Sequence, residues 1–240
     1  MESVPIRQTE TQVLVNTFVR SVYNWMAIGL ALTGFVAFYV ANSESVLRLL
    51  FHVVGNQLRP TMLFWGIAIG ELVLVFSISA RVHKMKAATA TGLFVLYAAL
   101  NGATLSVIFL AYTRSSIAST FFICAATFVA CSIYGWTTKR DLTSFGGFLF
   151  MGLIGIIIAT LVNLFIRSSA MYMVISYIGV FVFVGLTAYD TQRIKNMALT
   201  QPSGLEAGVI RKGAILGALS LYLDFINLFL MLLRIFGNRE

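Results

Sequence analysis

Seven long apolar stretches dominate the chain, at about 21–42, 61–80, 87–112, 116–136, 145–167, 172–190 and 214–236. A transmembrane helix needs about 20 mainly apolar residues, so each stretch is long enough to cross a bilayer and little chain remains for anything else. The composition agrees: 59% of the 240 residues are hydrophobic and 11% charged, against roughly 45–50% and about 25% in a soluble domain. The expected fold is an all-α integral membrane protein with seven transmembrane helices. Its expected organisation is a leader over 1–20, one seven-helix domain over 21–236 and a short tail over 237–240. The first stretch is too long for a cleaved signal peptide, whose apolar core is roughly 7–15 residues, and the leader before it carries both signs of charge.

A net charge of +8 in a soluble protein would suggest nucleic acid. Here the basic residues stand in short connections between apolar runs, where lipid headgroups and membrane orientation account for them; the expected partner is the bilayer, with no nucleic acid. Eleven Lys and Arg fall on the side of the N-terminus, among them Arg81, Lys139, Arg140, Arg193 and Lys195, and six on the other. That bias predicts a cytoplasmic N-terminus and an external C-terminus. If span seven only dips into the membrane and returns, Arg234 and Arg239 change sides.

Pro5, Pro60 and Pro202 all lie outside the spans, and Pro60 stands where a first helical residue tolerates proline. Gln201-Pro202-Ser203-Gly204 reads as a turn, with span six continuing some way beyond its apolar stretch before it. No internal repeat is evident. Cys124 and Cys131 sit on one predicted helix with Cα atoms about 10 Å apart, beyond the roughly 7 Å limit for a disulfide.

An ionisable group at the centre of a span costs about 2.5–3.5 kcal/mol on insertion scales and marks a functional site by default. Three acids qualify: Glu71 in the middle of span two, Asp224 in the middle of span seven, and Asp190 at the end of span six. Gly213, Gly217, Ser220, Asp224, Asn227 and Met231 follow one another at steps of three and four and so share a helix face. Gly213 and Gly217 form a small-xxx-small pattern that admits a close neighbour. That polar face is expected to point into the bundle, presenting Asp224 either as structural glue or as a proton or cation site, with Ser220 and Asn227 beside it on the pathway. Asp190 reads either as a membrane-edge carboxylate paired with Arg193 or as the partner of Asp224. Two carboxylates close together in a low-dielectric site do not easily both ionise and can share a proton, and when ionised they offer hard oxygens suited to Ca²⁺. Glu71 is a third ligand, a separate proton carrier on the pathway, or a hydrogen-bonded structural carboxyl.

The string Gly217-Ala-Leu-Ser-Leu-Tyr-Leu-Asp224-Phe-Ile-Asn227-Leu-Phe, with Ala188-Tyr-Asp190-Thr-Gln-Arg-Ile-Lys195 and Thr138-Lys-Arg-Asp141-Leu-Thr-Ser-Phe-Gly146-Gly147 upstream, resembles the transmembrane Bax inhibitor motif family across essentially the whole chain. The short leader resembles a bacterial member, which implies the inner membrane. The resemblance implies a central seventh helix surrounded by the other six, and a pH-sensitive calcium leak with H⁺ as regulator and no cofactor. It implies that Asp190 and Asp224 form the pH sensor and ion site, and that a basic residue at the end of span two, for which Arg81 is the nearest match, latches the span-six aspartate.

Three other classes compete. An intramembrane aspartyl protease also pairs two aspartates, one in a Tyr-Asp motif, but Leu-Tyr-Leu precedes Asp224 where such enzymes carry Gly-x-Gly; no enzyme activity is expected. A retinal-type receptor needs a lysine inside a span for its Schiff base, and span seven has none. A non-transporting regulator of cell death or of a membrane protease, acting through a protein partner, leaves no mark in one sequence.

Overall fold

In the computed structural model the backbone is described for residues 4–54, 57–200 and 206–239, and side chains for 15–52, 59–200 and 206–239. The expected turn at 201–204 lies outside the described residues. Seven helices are long and apolar enough to cross a membrane: Val15–Asn42, Met62–Lys84, Ala87–Ala111, Arg114–Thr137, Thr143–Ile166, Ser169–Leu199 and Ala207–Phe236. Each lies on one expected apolar stretch, and the sixth runs nine residues past its stretch, to Leu199. The chain divides into two compact units, Met1–Val15 with Thr113–Gln201 and Ser220–Arg239, and Asn16–Tyr112 with Pro202–Leu219.

The second of these units takes α1 (Val4–Asn42) from Asn16 on; the helix covers most of the expected leader and continues into span one without a break. There follow α2 (Glu44–Leu50), a hairpin of β1 (Phe51–Val54) and β2 (Gln57–Pro60) in antiparallel register Phe51↔Pro60, and α3 (Met62–Arg81). The hairpin was not expected from periodicity. Buried Val40, Leu50 and Phe51 cluster against Phe64 and hold it to the ends of α1 and α3. Pro60 closes β2 and is not the first helical residue. Thr61 is the N-cap instead, its hydroxyl accepting from the Phe64 amide at 3.3 Å and donating to the Leu49 carbonyl at 2.7 Å, as a β-region cap does.

Span three is not one helix. After a 3-10 turn (Val82–Lys84), α4 (Ala87–Leu105) stops and α5 (Ile108–Ala111) resumes two residues later. The Ser106 hydroxyl donates to the Ala103 carbonyl at 2.7 Å, the local competition by which serine breaks a helical ladder. At Gly102 an added Cβ would lie 2.6 Å from the Thr33 carbonyl oxygen, and Thr33 donates to the Ala98 carbonyl at 2.8 Å, so α1 and α4 touch backbone to backbone.

The other unit holds α6 (Arg114–Thr137), α7 (Thr143–Ile166), α8 (Ser169–Leu199) and the second part of α9 (Ala207–Phe236). Here α8 is the hub, and glycines set its distances. A Cβ at Gly135 of α6 would overlap the Ala188 carbonyl of α8; one at Gly146 of α7 would meet the Tyr189 ring at 2.6 Å; and Gly179 of α8 admits Met231 of α9, whose Sδ a Cβ would meet at 2.8 Å. Small residues let helix backbones approach where hydrophobic burial cannot drive association. α9 is the most buried span, with 67% of its apolar window inside the structure against 6% for α3 and for α7.

The far end of α9 settles which side it reaches relative to its neighbours. The Thr113 amide donates to the Asn238 carbonyl at 3.1 Å, the Asn238 amide to the Ser116 hydroxyl at 2.9 Å, and the Arg234 guanidinium lies 4.6 Å from the centroid of the Tyr172 ring. The C-terminus thus sits with the beginnings of α6 and α8, opposite the α6–α7 connection, and α9 crosses completely.

Two outcomes test this architecture. In a Cys124→Ala, Cys131→Ala background, Asn238→Cys and Lys139→Cys are expected to react with a membrane-impermeant thiol reagent from opposite faces of the membrane. Gly135→Ala is expected to lower thermal stability in detergent by about 1–3 kcal/mol, the cost of forcing extra volume into a packed interface.

Candidate functional site

The site grows from α9, whose burial extends all round the helix. Leu221, Tyr222 and Leu228 have no solvent exposure, Phe225 is 3% exposed and Asp224 5%. The expectation that one polar face points inward is therefore too narrow, because a helix packed on every side buries its apolar faces as well. Next to Asp224 in the chain, Phe225 is flanked by the Phe128 and Phe121 rings of α6 at 5.4 and 5.5 Å, and the Cys124 thiol donates to the Phe225 carbonyl at 3.6 Å. Asp224 Oδ2 is, among the described residues, the one buried side-chain oxygen or nitrogen with no hydrogen-bond partner.

Asp190 lies on α8, which packs against α9 where Gly179 admits Met231. Asp190 has 14% of its side chain exposed and an ion pair with Arg193 at 4.0 Å, one turn along the same helix. Of the two readings kept apart in the sequence, the ion pair shows Asp190 as a membrane-edge carboxylate beside Arg193. Between α8 and α6, buried Thr191 donates to the Ser132 hydroxyl at 3.4 Å, so the seam beside Asp190 is polar.

The other expected residues fall as follows. Glu71 lies on α3 in the second unit, accepting from Thr104 at 2.9 Å and Asn101 at 3.2 Å, both on α4. Arg81 is the exposed last residue of α3. Asn227 turns its amide back to the Leu223 carbonyl at 2.8 Å on its own helix; Ser220 is half-buried, as is Gly213, while Gly217 is buried. No group of three or more His, Cys, Asp or Glu side chains able to hold a metal occurs among the described residues.

Sequence reasoning missed the clamp that fixes the end of α8. Gln192 donates to the Arg140 carbonyl and accepts from the Leu142 amide, both at 2.8 Å, and Lys195 donates to the Trp136 carbonyl at 2.6 Å. The α6–α7 connection is thereby held to the helix turn that follows Asp190. Within that connection Asp141 accepts from Thr143 at 2.9 Å, which holds its carboxyl below the usual range. The partners of Glu71 did leave a signal, since Asn101 and Thr104 stand three residues apart and so share a helix face.

The family model described as inhibitor of apoptosis-promoting Bax1 matches residues 15–240. The chain belongs to the Bax inhibitor family. It is 54% identical over 226 residues to the inner membrane protein YbhL of Escherichia coli strain K12, covering 94% of this chain and 93% of that one. It is 42% identical over 238 residues to an uncharacterized protein of Borreliella burgdorferi, covering 99% of each. To the uncharacterized protein RP147 of Rickettsia prowazekii it is 45% identical over 223 residues, 93% of this chain and 90% of that one. The family resemblance read from span seven is thus shown, and this member of the Bax inhibitor family is an integral membrane protein.

If Asp224 were structural glue, its removal would weaken the fold. A buried carboxylate oxygen without a donor is instead a liability in the folded state. Asp224→Asn is expected to leave the thermal midpoint in detergent at neutral pH unchanged or raised, whereas Gln192→Ala, which strips two backbone groups of their partner, is expected to cost about 1–3 kcal/mol.

Proposed function

We propose that this protein is a calcium leak pathway of the bacterial inner membrane, gated by pH through Asp190 and Asp224. The observation that carries the reading is the unpartnered, buried Oδ2 of Asp224, on a helix that packs against the one carrying Asp190. Removing either ionisable group would spare the fold a buried charge, so a function is the physical reason to keep both. Two such carboxylates share a proton when they are close, which gives the site two charge states. The two states place different demands on α8 and α9, which are packed too tightly at Gly179 and Met231 to deform continuously. A one-unit change of charge therefore biases one discrete packing against another.

Calcium enters this reading as cargo. A resident Ca²⁺ takes six to eight oxygens, and two carboxylates fall well short of that, so the pair suits transient contact with a passing ion. Arg193, held 4.0 Å from Asp190, offsets part of the negative charge at the rim. The latch between Arg81 and Asp190 belongs to the same proposal, with Arg81 opposing opening when Asp190 is ionised. The basic side of the membrane, which includes the α6–α7 connection, is taken as cytoplasmic.

Calcium entry into dye-loaded proteoliposomes from about pH 5 to pH 8, a window set by the proton sharing of a carboxylate pair, tests the reading. Wild type is expected to conduct and to change its flux across that range; Asp190→Asn and Asp224→Asn are expected to lose the pH dependence. Flux no greater than in empty vesicles at every pH would sink the proposal and favour a role through protein contacts alone.

A further inference from the structure

At the end of the first unit where α7 begins and α8 finishes, a cleft of about 340 Å³ opens between Thr143 and one face of α8 formed by Tyr189, Gln192, Arg193, Asn196 and Thr200. These α8 residues follow helical spacing, so the cleft is a continuous strip along the helix. Its depth in the membrane follows from length: Tyr189 stands twenty residues beyond Ser169, the first residue of α8, or about 30 Å of helix. About 30 Å is also the thickness of the hydrocarbon core. The cleft therefore begins where hydrocarbon ends and headgroups lie.

Its chemistry is that of a donor set awaiting an acceptor. Gln192 forms the floor with both ends of its amide committed to the backbone at Arg140 and Leu142. The Tyr189 hydroxyl and the Asn196 amide, by contrast, have no hydrogen-bond partner among the described residues, and the exposed Arg193 guanidinium has only its 4.0 Å contact with Asp190. The Tyr189 ring is fixed against Gly146, so its hydroxyl is held in place. Among the described residues, Arg193 is the one charged residue that lines the cleft, and Asp141, in the connection before Thr143, is engaged by Thr143.

We infer that this cleft binds the phosphodiester of an anionic phospholipid, of the phosphatidylglycerol kind, through Arg193, Asn196 and Tyr189. Basic pockets between transmembrane helices select such headgroups, and a planar guanidinium grips phosphate oxygens in pairs. The bound phosphate competes with Asp190 for Arg193. The inference rests on the cleft and holds whether or not the protein conducts calcium.

Native mass spectrometry of the full chain tests it by counting lipids retained from mixed phosphatidylglycerol and phosphatidylcholine of identical acyl chains. Wild type is expected to prefer phosphatidylglycerol, and Arg193→Gln to reduce that preference about fivefold, the effect of one basic group at a membrane surface. Lys139→Gln, which removes the same charge outside the cleft, is expected to keep it. Equal retention of the two lipids by wild type, or equal losses in Arg193→Gln and Lys139→Gln, would overturn the assignment. Displacement of the lipid by millimolar glycerol 3-phosphate would overturn it too, by showing that the cleft takes a soluble phosphate. Failure of lipid selection would leave the flux experiments untouched.

Discussion

In a helix bundle surrounded by lipid, no water is at hand to solvate a carboxyl group, so every acid inside must be partnered, neutralised or put to use. The acids inside this protein's spans meet that constraint differently. Glu71 is partnered by Thr104 and Asn101 on the neighbouring helix. Asp190 stands at the membrane edge and takes Arg193. Asp224 is buried on α9 with one oxygen unpartnered. Satisfied carboxyls hold helices together; an unsatisfied one responds to whatever supplies a proton or a cation.

The packing of the first unit makes such a response consequential. Gly135, Gly146 and Gly179 bring α6, α7 and α9 against α8 so closely that a single added carbon would strike backbone, a ring or a buried methionine. α8 carries Asp190 at the level of the Gly135 contact and the Gln192 clamp half a turn later. A change in charge at Asp190 therefore acts on the helix at the point where its position is most constrained. Interfaces of this kind shift between discrete arrangements more readily than they stretch.

The spans were legible because apolar length alone specifies them in lipid, and Glu71, Asp190 and Asp224 stood out because charge inside a span is rare. What the sequence left hidden follows from interactions that carry no periodic signature. The β1–β2 hairpin depends on Leu50, Phe51 and Phe64 meeting in space, and Pro60, whose fixed φ suits either a strand end or a first helical turn, gave no way to choose between them. The break in span three rests on one serine hydroxyl. Glycines in apolar helices are common, so nothing in the chain distinguished Gly135, which excludes a Cβ, from Gly155, which has open space around it.

Gln192 and Arg193 show why neighbouring residues on one helix serve different ends. Gln192 is buried and reads two backbone groups of the α6–α7 connection, fixing that connection to α8 whatever the charge state of the site. Arg193 points outward, with its side chain 56% exposed, and its long contact with Asp190 leaves donors for other acceptors. An exposed ion pair of this length contributes little to stability, so the guanidinium stays near Asp190 without being committed to it. The carboxylate at the rim therefore has a cation beside it that is free to turn to other acceptors on the same face of the membrane, while the backbone clamp one residue away holds the helix in place.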